Sequence, residues 1–119
     1  MFPEVRRVLA EFGDLKFGKS NDYVRIAPSE AKNVVEEIRR YEALIGRRLY
    51  PLGVMEHQDR HYLVLDENGI VYTLIDELEP LASSFERAIE FLIWPHSSRR
   101  EMEADLEQVG MLGKTWRLG

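Results

Sequence analysis

The sequence predicts an α+β domain in which a small, mostly antiparallel sheet is flanked by N-terminal and C-terminal helices. First, the run "HYLVLDENGIVYTLI" contains two β-rich segments around a turn signal. Second, apolar residues recur at helical spacing both before and after this run. Third, no repeat, low-complexity tract or linker divides the 119 residues, so a single domain is expected over residues 1–119.

Two apolar stripes predict the helices that precede the hairpin. The first stripe is short, and Gly13 after it predicts a helix end. The second helix opens at Pro28 and Ser29, and Gly46 stands where a helix C-terminus favours positive φ. Extended segments are expected between them, around residues 15–17 and 23–27. The stripes consist of Val5, Val8, Leu9 and Phe12, and of Ala31, Val34, Val35, Ile38, Tyr41 and Ile45.

The run "ALIGRRLYPLG", residues 43–53, predicts a corner from this helix into the sheet. Arg47 and Arg48 are expected to lie beside the negative end of the helix dipole. Pro51 cannot donate a hydrogen bond to a sheet ladder, so its strand is predicted to be an edge strand or to be bulged at that point. Gly53 permits a bend or the close approach of another backbone segment.

The hairpin itself is predicted from two alternating runs and their turn. Leu63 and Val64 belong to a strand in which both alternating sets are apolar, which predicts a central strand covered on both faces. Asn68 and Gly69 predict a type I′ turn. The segment "DELEPLASS" is then expected to leave the sheet.

Two capping boxes predict the C-terminal helices. Ser83 with Glu86 opens a helix that ends before Pro95, and Ser98 with Glu101 opens a last helix. Gly110 is expected to close the last helix. Their apolar faces are Phe85, Ala88, Ile89, Leu92 and Ile93, and then Met102, Leu106 and Val109.

The charge is concentrated in one part of the chain. The net charge is −5, and residues 54–90 hold nine acidic residues against Arg60 and Arg87, a balance of −7. Such a field repels a phosphate backbone and attracts a basic partner, so no nucleic-acid binding is expected. A solvated acidic face that only keeps the protein in solution is the alternative, and charge alone does not separate the two.

The residues offer little for catalysis. Because cysteine is absent, a thiolate nucleophile and a disulfide are excluded. No phosphate-binding loop or Gly-x-Ser-x-Gly motif is present, and no cofactor is predicted. The nearest approach to a metal site is His57, Asp59 and His61 in "HQDRH", with His96 remote. A hairpin loop is the default interpretation of that run, and a small metal-dependent enzyme that uses His57 and His61 is an alternative.

No apolar stretch approaches the roughly 20 residues that span a bilayer, and charges interrupt the start of the chain where a signal peptide is apolar. A cytoplasmic protein without a membrane segment is therefore expected.

Four segments in this order resemble one family. "VLAEFGDLKF", "LIGRRLYPLG", "YLVLDENGIVYTL" and "LASSFERAIEFLI" are similar to the SUKH superfamily of bacterial immunity proteins, most closely its third subfamily. The resemblance covers about residues 5–93 with compatible spacings. It implies an α+β domain that binds and neutralises a toxin, often a nuclease, of a polymorphic toxin system, and that needs no catalytic residue of its own.

Resemblance and charge together predict a basic protein toxin domain as partner and electrostatic steering by acidic loops. The predicted partner-binding residues are Glu56, Asp59, Asp66, Glu67, Asp76, Glu77 and Glu79. A non-enzymatic scaffold or regulatory module with an unrelated cellular partner is the alternative.

The chain departs from the resemblance at both ends. A helix followed by a Gly-Trp-x-x-Gly-Arg segment is expected before Met1, and residues 93–119 extend beyond the recognised pattern. Since "LEQVGMLGKTW" resembles that missing opening, a permuted arrangement is a hypothesis, as is a C-terminal helix exchanged between protomers. The oligomeric state is left open.

Overall fold

The computed structural model describes residues 3–19, 22–57, 59–93 and 99–118. The helices are α1 (Pro3–Phe12), a 3₁₀ helix (Pro28–Val34), α2 (Val35–Ile45), α3 (Phe85–Ile93) and α4 (Arg99–Gln108). The strands are β1 (Lys16–Lys19), β2 (Asp22–Arg25), β3 (Leu49–His57), β4 (Asp59–Asp66), β5 (Val71–Leu74) and β6 (Leu78–Ala82).

These six strands form one sheet in the order β1-β2-β3-β4-β5-β6, and every neighbouring pair is antiparallel. The predicted α+β fold with an antiparallel sheet between helices is confirmed. The β3–β4 and β5–β6 turns lie at one end of this sheet, which we name the Asp59 end. The β4–β5 turn and the start of β3 lie at the other, which we name the Asp66 end.

Apolar side chains cover the sheet on both faces. On one face α1 and α3 pack against the sheet, and Val5, Phe85 and Leu65 belong to one apolar cluster there. On the other face α2 packs against the sheet, and Tyr41 and Val64 belong to a second cluster. Leu65 and Val64 are neighbours on β4 and both are fully buried, which confirms the predicted central strand.

The long helix predicted from residue 28 onward begins as a 3₁₀ helix and becomes an α-helix only at Val35. Ala27 supplies no side-chain cap, and its carbonyl accepts from the Glu30 N–H at 3.0 Å, the i→i+3 pattern of a 3₁₀ turn. The predicted end is confirmed: Gly46 has φ 71° and donates its N–H to the Glu42 carbonyl. After α1 the left-handed residue is Asp14 (φ 66°), next to the predicted Gly13.

Pro51 lies in β3, a strand inside the sheet, so the prediction of an edge strand is wrong. The alternative prediction, a bulge at that point, is confirmed. The register between β3 and β4 shifts between Pro51 and Gly53, which is a β-bulge. At Gly53 a Cβ atom would lie 1.9 Å from the Arg25 carbonyl oxygen of β2, so only glycine fits this approach.

Two predictions, one for the turn before β5 and one for the segment after it, are wrong. In the β4–β5 turn the Gly69 N–H donates to the Asp66 carbonyl at 3.0 Å, and Gly69 has φ 90°. Asn68 has negative φ, which a type I′ turn does not allow, and this pattern is typical of a type I turn followed by a left-handed glycine. The segment after β5 also stays in the sheet: Leu78–Ala82 pairs with β5, and Pro80 is tolerated because β6 is the last strand.

The cap of α3 lies one residue later than predicted. The Arg87 N–H donates to the Ser84 hydroxyl at 3.2 Å, whereas Ser83 donates its N–H and hydroxyl to Asp105 of α4. Ser98, predicted to cap α4, lies outside the described residues. Gly110 after α4 has φ 70°, as predicted.

The chain after α4 packs on the α2 face of the sheet. Met111 is buried, and Trp116 exchanges two backbone hydrogen bonds with Leu78 (2.8 and 2.9 Å) along the outer edge of β6. The Trp116 ring meets the Tyr72 ring edge-on at 6.2 Å. α1 belongs to the cluster on the opposite face, and the permuted arrangement stays a hypothesis.

Candidate functional site

The structure places the seven predicted carboxylates at two ends of the sheet. The first group lies at or toward the Asp59 end, and the second at the Asp66 end. The first group is Glu56, Asp59, Asp76, Glu77 and Glu79, and the second is Asp66 and Glu67.

Asp66 is fully buried and accepts four hydrogen bonds. Its Oδ1 accepts from the backbone N–H groups of Asn68 (2.8 Å) and Ile70 (3.0 Å). Its Oδ2 accepts from the Tyr72 hydroxyl (2.6 Å) and from Arg47 Nη1 (3.1 Å). A carboxylate with all its acceptor positions filled inside the protein is not exposed to a partner. Asp66 therefore holds the turn, β5 and the corner after α2 together.

Burial alone disfavours the charge on Arg47, but its hydrogen bond to Asp66 and the charge of that carboxylate outweigh it and raise the pKa of Arg47. Burial, followed by the hydrogen bond to Asp66, raises the pKa of Tyr72. The network therefore holds a charged pair and a neutral phenol.

The corner also uses two glutamates to satisfy backbone N–H groups. Glu42 Oε2 accepts from the Leu49 N–H at 2.8 Å, and Glu67 Oε1 accepts from the Arg48 N–H at 3.3 Å. Both carboxylates thus tie the end of α2 and the β4–β5 turn to the start of β3. Glu67 is exposed, so it remains accessible while it makes this contact.

At the Asp59 end the carboxylates differ in whether they form ion pairs within the protein. Glu56 forms an ion pair with Arg60, and Arg60 also lies 3.6 Å from Glu30 Oε2. Asp59 is exposed beside this pair. Asp76 in the β5–β6 turn is exposed too. Glu56 is thus largely neutralised by its neighbour.

Glu77 and Glu79 lie together at the start of β6. Arg117 Nη2 lies 3.4 Å from Glu77 Oε2, and Thr115 Oγ1 lies 3.4 Å from Glu79 Oε1. Partial desolvation, followed by the hydrogen bond and negative charge of Glu77, raises the pKa of Glu79. The two carboxyl groups therefore repel each other when both are charged.

This pair lines a groove that we name the acidic groove. It has a volume of about 460 Å³ and lies between β6, α4 and residues 111–115. Met102 and Leu106 supply apolar surface, and Glu103 adds a third carboxylate. Two cations line the groove as well: Arg99, which pairs with Glu103 at 3.3 Å, and Lys114. Sequence reasoning missed this wall, because β6 and α4 meet only in the fold.

A second groove lies at the Asp66 end, between α2 and the start of β3. It has a volume of about 660 Å³, and we name it the arginine groove. Arg39, Arg47 and Arg48 line it together with Glu42 and Glu67. Arg47 and Arg48 are adjacent in the sequence, but nothing in the sequence connects Arg39 with them.

The candidate metal run lies at the β3–β4 turn. Asp59 pairs with His57 in the ladder, and the half-buried His61 lies two residues further along β4. Gln58 and His96 lie outside the described residues. Within the described part of the chain, no group of three or more histidine, aspartate or glutamate residues has the geometry to hold a metal ion. Among the helices of that same part, none has the length and apolar character needed to cross a bilayer.

These features define a class of small α+β domains in which charged grooves over apolar surface are the accessible sites. Residues 1–94 match the sequence model of a family described as SUKH-3 immunity protein, and the chain belongs to that family. Membership assigns it a general role in toxin immunity and confirms the resemblance noted above. Helix α4 and residues 111–118 lie beyond the matched part. No curated protein and no solved structure matches the chain.

Proposed function

We propose that this protein neutralises a basic protein toxin domain, such as a nuclease, by binding it at the acidic groove without chemistry of its own. Family membership carries the toxin-immunity role, and the paired carboxylates of Glu77 and Glu79 support the choice of site. The partner would be met in the cytoplasm of the producing cell.

The physical reason for choosing the acidic groove is the repulsion between Glu77 and Glu79 when no partner is bound. Glu79 has a raised pKa because its charge is desolvated and faces Glu77. An arginine or lysine side chain of a partner relieves that repulsion and gains charge-assisted hydrogen bonds. Met102 and Leu106 offer apolar surface for the aliphatic part of such a side chain.

The other predicted residues take different parts in this proposal. Asp76 and Asp59 are exposed at the same end and steer a basic partner toward the groove. Glu56 contributes less, because Arg60 compensates its charge. Asp66 makes no direct contact, since it is buried, and Glu67 lies at the other end of the sheet.

The test is a charge reversal with a matched control. The double variant Asp76→Lys/Glu79→Lys is compared with Glu36→Lys/Glu107→Lys, which has the same net charge and changes exposed residues outside the groove. The ligand is an inactive form of the toxin domain encoded beside this gene. We expect association of the first variant to slow at least about tenfold at low salt, and the difference to shrink in 1 M salt.

Equal association rates for the two variants would rule out the acidic groove. A pull-down that recovers a cellular protein unrelated to toxins, and no toxin domain, would favour the scaffold alternative instead.

A further inference from the structure

The arginine groove has the properties of a second recognition site. Its floor is apolar: Ile38 and Leu49 are buried, and Pro51 lies beside them. Arg39 of α2 and Arg48 at the start of β3 are exposed and line the same concave surface. A groove of about 660 Å³ has room for a short peptide segment.

The charged groups of this groove differ in whether they already form hydrogen bonds or ion pairs within the protein. Arg47 is bound to Asp66, while Glu42 and Glu67 accept from backbone N–H groups. Within the described residues, the guanidinium groups of Arg39 and Arg48 have neither an ion pair nor a side-chain hydrogen bond. The guanidinium donors of Arg39 and Arg48 are therefore available to a ligand, while Glu42 and Glu67 each use only part of their acceptor positions.

The walls of the groove are held rigidly before any ligand arrives. Gly46 ends α2 with φ 71°, and the Arg47–Asp66 contact anchors the next residue to the buried turn. Pro51 and the bulge at Gly53 fix the path of β3 beyond Arg48. Because the backbone is fixed on both sides, binding costs little ordering of the protein chain.

We propose that the arginine groove binds an acidic segment of a partner protein, in which a carboxylate lies next to an apolar side chain. The carboxylate bridges Arg39 and Arg48, and the apolar side chain lies over Ile38, Leu49 and Pro51. Glu42 and Glu67 line the same groove and repel a ligand with several negative charges in a row, such as a phosphate backbone, and the net charge of −5 does the same at longer range. An isolated carboxylate between apolar residues fits this pattern better than nucleic acid does.

This site does not rest on the proposed function, since the arginine groove and the acidic groove lie at opposite ends of the sheet. A partner can occupy one groove while the other is empty. Failure of either proposal in its own test leaves the other standing.

The test is a titration of the isotope-labelled protein, followed by its backbone amide NMR signals. The probe is the capped peptide acetyl-Leu-Glu-Leu-Glu-Leu-amide, and the comparison peptides carry Gln or Lys in place of both Glu residues. An oligothymidine strand serves as the nucleic-acid probe. We expect the Glu peptide to shift the signals of Arg39, Arg48 and Tyr50, and to bind about tenfold more tightly than the Gln peptide.

The variants identify the residues responsible. Arg39→Gln and Arg48→Gln are each expected to weaken binding of the Glu peptide to the level of the Gln peptide. Arg40→Gln is the matched control, because it changes the neighbouring exposed arginine of α2, which does not line the groove. Unchanged signals elsewhere show that each variant is folded. Equal binding of the Glu and Gln peptides, preference for the oligothymidine strand, or an equal loss in Arg40→Gln would each overturn the proposal.

Discussion

The Tyr72 hydroxyl donates to Asp66 Oδ2 at 2.6 Å, and this bond joins β5 to the end of β4 inside the protein. Arg47 reaches the same carboxylate oxygen at 3.1 Å from the corner after α2. Asp66 also binds two N–H groups of its own turn. One carboxylate therefore fixes the turn, a neighbouring strand and the wall of the arginine groove at once.

We expect Asp66→Ala to lower the free energy of unfolding by about 3–5 kcal/mol, because it leaves the Arg47 charge and the Tyr72 hydroxyl without their partner. Urea denaturation measures the loss. Asp76→Ala is the control: Asp76 is an exposed carboxylate at the other end of the sheet, and we expect a change of about 0.5 kcal/mol or less. Equal losses in the two variants would contradict the structural role of Asp66.

The Glu77–Glu79 pair makes a prediction about pH. The pKa of Glu79 is raised in the folded protein, so between the unfolded value, about 4.3, and the folded value the native state binds more protons than the unfolded state. Stability contributed by this group is therefore present at low pH and is lost as pH rises through that window. We expect Glu79→Gln to have a higher Tm than the wild type at pH 7 and the same Tm at pH 3.5.

Glu103→Gln is the control for that pH series. Glu103 lines the same groove but is paired with Arg99, so its replacement is expected to give no gain at pH 7. If Glu79→Gln is less stable than the wild type at pH 7, the two carboxyl groups do not repel each other in the folded protein. Unfavourable charge that is kept at an accessible groove is consistent with binding a cation there.

Asp105 connects α4 to the segment before α3. Its two oxygens accept from the Ser83 N–H at 2.7 Å and the Ser83 hydroxyl at 2.6 Å, and its side chain is 6% exposed. We propose that residues 1–119 form one domain through this contact and the Leu78–Trp116 bridge, although the family match ends at residue 94.

We expect Asp105→Ala to cost about 1–3 kcal/mol, because the Ser83 groups lose their acceptor. Hydrogen exchange should accelerate first in α4, while the β4 amides stay protected. Glu107→Ala is the control on an exposed residue of the same helix, and it should leave exchange in α4 unchanged. If the α4 amides exchange as slowly in Asp105→Ala as in the wild type, the Asp105–Ser83 contact does not hold the helix.

Local signals in the sequence were enough to predict much of the fold. Helical spacing predicted α1 and α2, and Gly46 predicted the end of α2, because each depends on residues close in the chain. The strand β6 was missed because Glu79 and Pro80 favour a loop locally. Leu78 is held in the sheet by Leu74 and, across the outer edge, by Trp116, which is far away in sequence.

The candidate site was predicted less well than the fold, for a related reason. Asp66 and Glu67 are neighbours with the same charge, yet one is fully buried and the other exposed. A count of charges contains no information about which side chain points inward. Arg39 and Arg48 likewise line one groove only because of how α2 lies against β3. Charge composition therefore predicts a type of partner but does not identify the surface that meets it.

The close approach of β3 to β2 supplies the last prediction. A Cβ atom on Gly53 would lie 1.9 Å from the Arg25 carbonyl oxygen and 3.0 Å from the Ala27 N, both backbone atoms that cannot rotate away. We expect Gly53→Ala to force the two strands apart and to cost about 3 kcal/mol. Gly46→Ala is the control, because Gly46 has φ 71° but open space around a Cβ atom, so only backbone strain of about 1–2 kcal/mol is expected. Urea denaturation separates the two variants: a larger loss in Gly46→Ala would mean that the conformation of the α2 end, and not the packing of β3 on β2, limits the stability of this corner.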